Sequence, residues 1–194
     1  MPLFSYVYDA IMYPQERLGL WKLRRKVVGP AAGRVLEVGV GSGLNFSYYE
    51  QATELVGIDP DGFLLKKAAR RAREQSYPIH LEVGDAENLP FADASFDTVV
   101  ATLVFCSVPD AVRGFREMRR VLKPGGRVRL LEHVRSEGPR MARFQDFITP
   151  TWRRIAGGCH MNRDTVARVK EAGFTLDEMK RYKSAVVMAG HAAN

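Results

Sequence analysis

Val35-Leu-Glu-Val-Gly-Val-Gly-Ser-Gly43 is the most informative stretch of this 194-residue chain. An apolar run carrying one acid, Glu37, gives way to glycines at alternate positions, Gly39, Gly41 and Gly43. A buried strand reads this way where it runs into a tight turn that opens a helix. Glycine suits the turn because the backbone there takes positive φ, and because a ligand can lie against it with no Cβ in the way. Amide N–H groups at the following helix start can hold a carboxylate or phosphate. A dinucleotide fingerprint asks for G-x-G-x-x-G. Here the third glycine comes one position early and Leu44 stands where the last should be, so a nicotinamide cofactor is disfavoured. The remaining alternative is an ordinary glycine-rich turn.

Outward from the loop, strand-like and helix-like segments alternate. Strands are expected at 34–38, 55–58, 79–83, 96–104, 128–133, about 175–180 and 185–191. Helices are expected to open over 44–50 and to run over 61–74, 109–122 and about 164–172, with Lys123-Pro-Gly-Gly ending the third. This alternation argues a parallel α/β sheet, in which ligands gather at the carboxyl edge of the strands.

Three more segments fall at that edge. Asp59, in Val56-Gly-Ile-Asp-Pro60, ends the second strand 20 residues after Gly39. Its carboxylate can accept both hydroxyls of a ribose, or cap the helix that follows. Asp85 and Ala86, in Gly84-Asp-Ala-Glu-Asn-Leu-Pro90, can meet an exocyclic amine and a ring nitrogen, or simply close a turn. Ala101-Thr-Leu-Val-Phe-Cys-Ser-Val-Pro-Asp110 would present Thr102 and Leu103 beside a ligand.

In order and spacing, these four motifs resemble the class I methyltransferases that use S-adenosylmethionine, over about 34–134. The resemblance implies a Rossmann-like, mostly parallel seven-stranded α/β sheet with helices on both faces and an antiparallel last strand. It implies S-adenosylmethionine as cofactor and S-adenosylhomocysteine as product. The glycine loop, Gly39, Gly41 and Gly43, would hold the methionine part, Asp59 the ribose, and Asp85 with Ala86 the adenine. Glu37, Asn45, Pro60, Thr102 and Leu103 flank these and join the cofactor-binding set. A closer resemblance rests on Thr102-Leu-Val-Phe-Cys-Ser-Val, Glu132-His-Val, Pro150-Thr-Trp and Gly158-Cys-His-Met-Asn-Arg-Asp-Thr. These are similar to the membrane-associated thiol methyltransferase-like proteins of animals and their bacterial relatives. The animal members open with a long apolar leader. This chain opens with Tyr8-Asp9 and Tyr13-Pro14, which resemble bacterial phospholipid N-methyltransferases and quinone methyltransferases.

The acceptor is expected to be small and hydrophobic or amphiphilic, a thiol first, with a phospholipid amine or a quinone as alternatives. A regulator that binds the cofactor without chemistry is the other class of reading. His133, after Glu132 at the end of the fifth strand, is the candidate base, since histidine titrates near neutrality. It could equally hydrogen-bond backbone and set the next loop. Cys106 suits a small core position more than a nucleophile. Cys159 and His160 are adjacent with no second pair at ligand spacing, so no metal site is expected.

Residues 1–30 read as a helical flap carrying Phe4, Tyr6, Tyr8 and Tyr13, then Leu20, Leu23 and Val27 at helical spacing among Arg17, Lys22, Arg24, Arg25 and Lys26. The flap could close over the cofactor, lie on an anionic membrane, or pack on the sheet. Residues 135–160 read as a lid insert, with Met141, Phe144, Ile148, Trp152 and Ile155 on a helix-like beat broken by Pro150. Tyr8, Tyr13, Cys106, His133 and Trp152 are the expected acceptor-site residues. One domain of 1–194 is expected, since 46% hydrophobic content suffices for a core. Two cysteines argue against a disulfide framework. With no signal peptide at the start, a cytoplasmic location is expected. The net charge of +7 suits anionic lipid or acidic small molecules, and peripheral contact with an anionic membrane fits it. No nucleic-acid module accompanies it, so no nucleic-acid partner is expected.

Overall fold

The computed structural model describes residues 2–182 and 185–193. The side chains of residues 2–7 and 11, Phe4 and Tyr6 among them, lie outside that description. The described residues form seven strands in one sheet: β1 Ala32–Val38, β2 Gln51–Asp59, β3 Ile79–Val83, β4 Phe96–Thr102, β5 Leu122–His133, β6 Phe174–Tyr182 and β7 Ala185–Ala192. Their spatial order is β3-β2-β1-β4-β5-β7-β6. The first five pair in parallel, and β7 lies antiparallel to both β5 and β6. The order reverses between β1 and β4, which is where such a sheet opens a crevice at its carboxyl edge.

Six helices accompany the described strands: α1 Pro2–Gln15, α2 Trp21–Val28, α3 Gly62–Ala72, α4 Ala111–Val121, α5 Pro139–Ile155 and α6 Thr165–Glu171. Asp61, Asp110 and Asp164 cap α3, α4 and α6 by accepting from backbone N–H groups in the first turn. Alternation along the strands sends side chains to opposite faces. Leu36, Val38, Val99, Ala101 and Leu130 pack with Phe115 and Met118 of α4 and Val166 and Val169 of α6. Val35, Leu55, Val100 and Leu131 pack on the other face with Val27 and Val28 of α2 and Leu65 and Ala68 of α3. Each fully buried side chain of this size contributes roughly 1.5–3 kcal/mol. No helix among the described residues is long and apolar enough to cross a membrane.

Four local differences from the sequence expectations have identifiable causes. The helix expected over 44–50 shrinks to a single tight turn, Phe46–Tyr48. Phe46 is buried, and Asn45 and Tyr49 are drawn inward to Glu37, so tertiary contacts replace the helical ladder and β2 begins at Gln51. β4 stops at Thr102 rather than 104, because Leu103 takes φ +61. This left-handed conformation is unusual for a branched side chain. The N-terminal helix is divided by an irregular turn, Glu16–Leu20, in which Gly19 has φ +112. Pro150 does not break the insert, since α5 runs through it.

Candidate active site

At the carboxyl edge, the ends of β1 to β4 surround a cavity of about 810 Å³. Gly39 and Gly41 contribute bare backbone at positive φ, +72 and +55. Gly39 has no room for anything else, because a Cβ there would run into the Val104 side chain. Tyr8 of α1 reaches over Gly41: a Cβ built at Gly41 would stand 3.5 Å from the phenolic oxygen. Asp59 and Pro60 follow from β2, Asp85 and Ala86 from the turn after β3, and Thr102 and Leu103 from the end of β4. Nine of the sequence-chosen residues thus meet in one cavity: Tyr8, Gly39, Gly41, Asp59, Pro60, Asp85, Ala86, Thr102 and Leu103.

Asp59 is buried, and it braces the loop. One carboxylate oxygen accepts from the Gly41 N–H at 2.9 Å and the other from the Asp61 N–H at 2.9 Å. Burial raises its pKa, and those two N–H groups act against the rise. From α1, Asp9 accepts from the Ser42 hydroxyl at 2.5 Å and pairs with Arg71 at 3.4 Å, so the first helix is fastened to the loop beside the cavity.

The other sequence-chosen residues stand elsewhere. Glu37 and Asn45 lie behind the loop, not in the cavity. Asn45 Nδ2 donates to Glu37 at 2.6 Å and to the Thr102 hydroxyl at 2.9 Å, and the Tyr49 hydroxyl donates to Glu37 at 2.9 Å. Burial pushes Glu37 up to about 7 despite these donors. Gly43 backs onto the Phe46 ring, where a Cβ would come within 2.6 Å. Tyr13 is exposed beside a separate groove between α1 and α3. Trp152, on α5, approaches the Cys159 sulfur. Cys106 and His133 sit just behind the cavity wall. His133 Nδ1 is 3.6 Å from Cys159 Sγ, and its carbonyl accepts from the Thr165 hydroxyl at 2.9 Å. Cys106 and Cys159, 53 residues apart in sequence, are neighbours in space together with His133.

Several site features carried no readable signal. Arg24 appears in the sequence as one of five surface cations, yet it is 2% exposed. It pairs with Glu16 at 2.7 Å and donates to Asn45 at 3.0 Å and Thr102 at 2.9 Å, joining α2 to the network behind the loop. Glu132 is also fully buried. One oxygen accepts from the N–H groups of Val104 and Phe105, both at 3.0 Å, which holds the turn that follows Leu103. Its other oxygen has no hydrogen-bond partner among the described residues, and burial pushes the group up to about 7. Among the described residues, the insert reaches the cavity through Gly157 and Gly158. α5 buries Ala142, Gln145 and Thr149, while Met141, Phe144, Phe147 and Ile155 face outward.

A parallel sheet that reverses order beside a glycine loop, with an acid at the end of the neighbouring strand, defines a nucleotide-type cofactor site at a switch point. The model of the methyltransferase domain family matches residues 36–130. The chain is 34% identical over 179 residues to thiol S-methyltransferase TMT1A of Homo sapiens, covering 89% of this chain and 72% of that protein. It is 37% identical over 147 residues to thiol S-methyltransferase TMT1B of Rattus norvegicus, covering 73% and 59%. It is 38% identical over 128 residues to phosphatidylethanolamine N-methyltransferase of Cereibacter sphaeroides, covering 61% and 63%. The matched region thus spans between 59% and 72% of these relatives. In fold, it is similar to an S-adenosylmethionine-dependent methyltransferase from Mesorhizobium loti, with TM-score 0.69, 17% identity, and coverage of 88% and 96%. A chain in the complex of the Haloferax volcanii Trm112 methyltransferase activator gives TM-score 0.75 at 16% identity, covering 99% and 97%. The chain belongs to the S-adenosylmethionine-dependent methyltransferases. Its cavity suits that cofactor: two glycines leave the floor clear, Asp59 supplies a buried acceptor, and Ile58, Leu64 and Val108 supply apolar wall.

Proposed function

We propose that this protein transfers the methyl group of S-adenosylmethionine to a small hydrophobic thiol. The observation that carries the reading is the convergence of Gly39, Gly41, Asp59, Asp85, Ala86 and Leu103 on one cavity, from four successive strand ends. In this reading 1–194 is one domain, with 1–30 a flap and 135–160 a cover. Gly39 and Gly41 hold the methionine end of the cofactor, Asp59 the ribose, and Asp85 with Ala86 the adenine. Thr102 and Leu103 form the wall, and Tyr8 covers the loop. When bound, S-adenosylmethionine supplies a methyl group already activated on sulfonium sulfur.

The protein's share is then alignment and exclusion of water, worth roughly 7–11 kcal/mol when donor and acceptor are well oriented. Ser107, Val108 and Pro109, with the Gly157–Gly158 turn, line the rest of the cavity and frame the acceptor's place. A thiolate attacks without a further proton transfer, which fits an acceptor place framed by Val108, Pro109, Gly157 and Gly158 with Ser107 as its polar side chain. His133 stands outside this wall and is not given the base's role.

A phospholipid amine is the second reading, favoured by one observation. Leu18 and Phe147 are 88% and 84% exposed, Trp21 and Ile155 are also exposed, and basic residues of α2 and α5 lie near them in sequence. Exposed apolar side chains beside basic ones on either helix fit peripheral contact with anionic lipid. The test is transfer of labelled methyl from S-adenosylmethionine to short alkyl thiols, to phosphatidylethanolamine vesicles and to a quinol. Turnover of the alkyl thiol without any bilayer is expected. Transfer confined to vesicles, lost at high salt, would replace the thiol with the lipid. Cofactor binding with no transfer to any acceptor would leave a regulator.

A further inference from the structure

Behind the cavity wall, three ligand-bearing side chains converge: Cys106, His133 and Cys159. Their donor atoms all lie within 4.8 Å of one another. Cys106 comes from the turn after β4, His133 from the end of β5, and Cys159 from the turn after α5. The gaps of 27 and 26 residues form no recognisable ligand motif, so only the fold brings the three together. Both thiols are buried. The turns are fastened independently of the trio. His160 N–H donates to the Cys106 carbonyl at 2.7 Å, and Arg163 donates to the Phe105 and Val108 carbonyls, both at 2.6 Å. The site is therefore positioned without the interaction that would occupy it.

We propose that Cys106, His133 and Cys159 bind one zinc-class divalent cation. Two thiolates and an imidazole form a borderline-soft donor set that selects zinc over magnesium or calcium. The His133–Cys159 spacing agrees, and the other two pairs lie within 4.8 Å. Tetrahedral bonds of about 2.3 Å to sulfur and about 2.0–2.1 Å to nitrogen put sulfur and nitrogen roughly 3.5 Å apart. Cys159 Sγ and His133 Nδ1 are 3.6 Å apart. Two thiolates balance the charge of the cation in a buried place, and binding requires both sulfurs ionised and the imidazole neutral, so whatever protons the trio carries leave to solvent. Three protein ligands leave a fourth position for water or another small donor. Cys159 directly follows Gly157 and Gly158, and Cys106 directly precedes Ser107 and Val108, all four in the cavity wall. The cation would thus clamp the end of the insert against the turn after β4. The inference rests on the trio alone and stands apart from the identity of the methyl acceptor.

The test uses the untagged full chain, treated with chelator and titrated with Co²⁺, then with Zn²⁺. One equivalent of Co²⁺ should bind with the intense visible bands and sulfur-to-metal charge transfer of a tetrahedral thiolate site, and Zn²⁺ should bleach them. Cys106→Ser, Cys159→Ser and His133→Gln should each weaken binding at least 100-fold, while His160→Gln keeps one equivalent. A folded chain that shows no thiolate bands, or bands unchanged by Cys106→Ser, overturns the proposal. Should the serine variants fail to fold, iodoacetamide labelling of the unaltered chain decides. Zn²⁺ should slow labelling of both cysteines at least 10-fold, and equal labelling with and without Zn²⁺ overturns it.

Discussion

Glu37 and Glu132 stand near the carboxyl ends of β1 and β5, on opposite faces of the sheet, and burial pushes each up to about 7. Their partners differ in kind. Glu37 is held by two side chains, Asn45 and Tyr49, which follow it within 12 residues. Glu132 is held by two backbone amides, Val104 and Phe105, from a turn 27–28 residues earlier, and one of its oxygens has no hydrogen-bond partner among the described residues. The first glutamate stiffens the glycine loop from behind. The second fixes the turn that Leu103 begins, with its φ of +61, and so shapes the cavity wall that packs against Gly39 of the loop. The contrast separates a clamp of side chains, which can re-pair locally, from a clamp on backbone, which has no substitute.

The largest expected effect follows from that difference. Glu132→Ala would strand the buried Phe105 N–H and the part-buried Val104 N–H, at about 1–3 kcal/mol for a buried donor. A loss of about 4 kcal/mol in urea unfolding is expected. Glu37→Ala should cost about half as much, because Asn45 keeps its bond to Thr102. If the two variants lose the same stability, the distinction between the clamps collapses.

A smaller effect appears on changing pH. The Glu37 carboxyl sits at about 7 in the folded chain against an ordinary 4.5. Below 4.5 both states hold the proton and the group contributes no pH dependence. Between 4.5 and 7 the unfolded chain releases the proton while the folded chain keeps it, so stability falls as pH rises. The full difference is at most about 3 kcal/mol. Glu37→Gln removes the titration, so its stability relative to the parent should climb from pH 4.5 to 7 and level off above. A difference that stays flat across this window would mean that Glu37 is ionised throughout.

The same contrast governs what was legible in the sequence. The loop side was written in short range: an acid, three glycines, and Asp59 at the end of the next strand. Its geometry follows from βα turns of nearly fixed length. The seven-stranded, mostly parallel sheet and its antiparallel last strand were likewise legible, through the family resemblance; the strand order was not. The other side was not. Met141, Phe144 and Ile155 keep a helical beat, but the beat says only that one face is apolar, and that face points outward while Ala142, Gln145 and Thr149 turn in. Arg24 looked like one cation among five, because nothing local announces that Glu16, Asn45 and Thr102 close around it. Cys106 and Cys159 looked unrelated because proximity across 53 residues belongs to the sheet, not to the motif.

Asp59 is a clamp on backbone as well, and it gives the finest test of the comparison. Like Glu132 it accepts backbone amides, from Gly41 and Asp61, but unlike either glutamate it also lines the cavity. A residue that faces both ways should lose both functions when shortened. In Asp59→Ala, calorimetry should find S-adenosylhomocysteine bound about 30-fold more weakly, a loss of ~2 kcal/mol, the scale of a hydrogen bond to a charged group. Stability should fall by less than in Glu132→Ala, because the amides freed at the cavity edge can turn to water. Unchanged affinity with reduced stability would make Asp59 a brace only and move the ribose contact elsewhere in the cavity. Reduced affinity with unchanged stability would make the Gly41 and Asp61 bonds incidental and leave the carboxylate to the ligand.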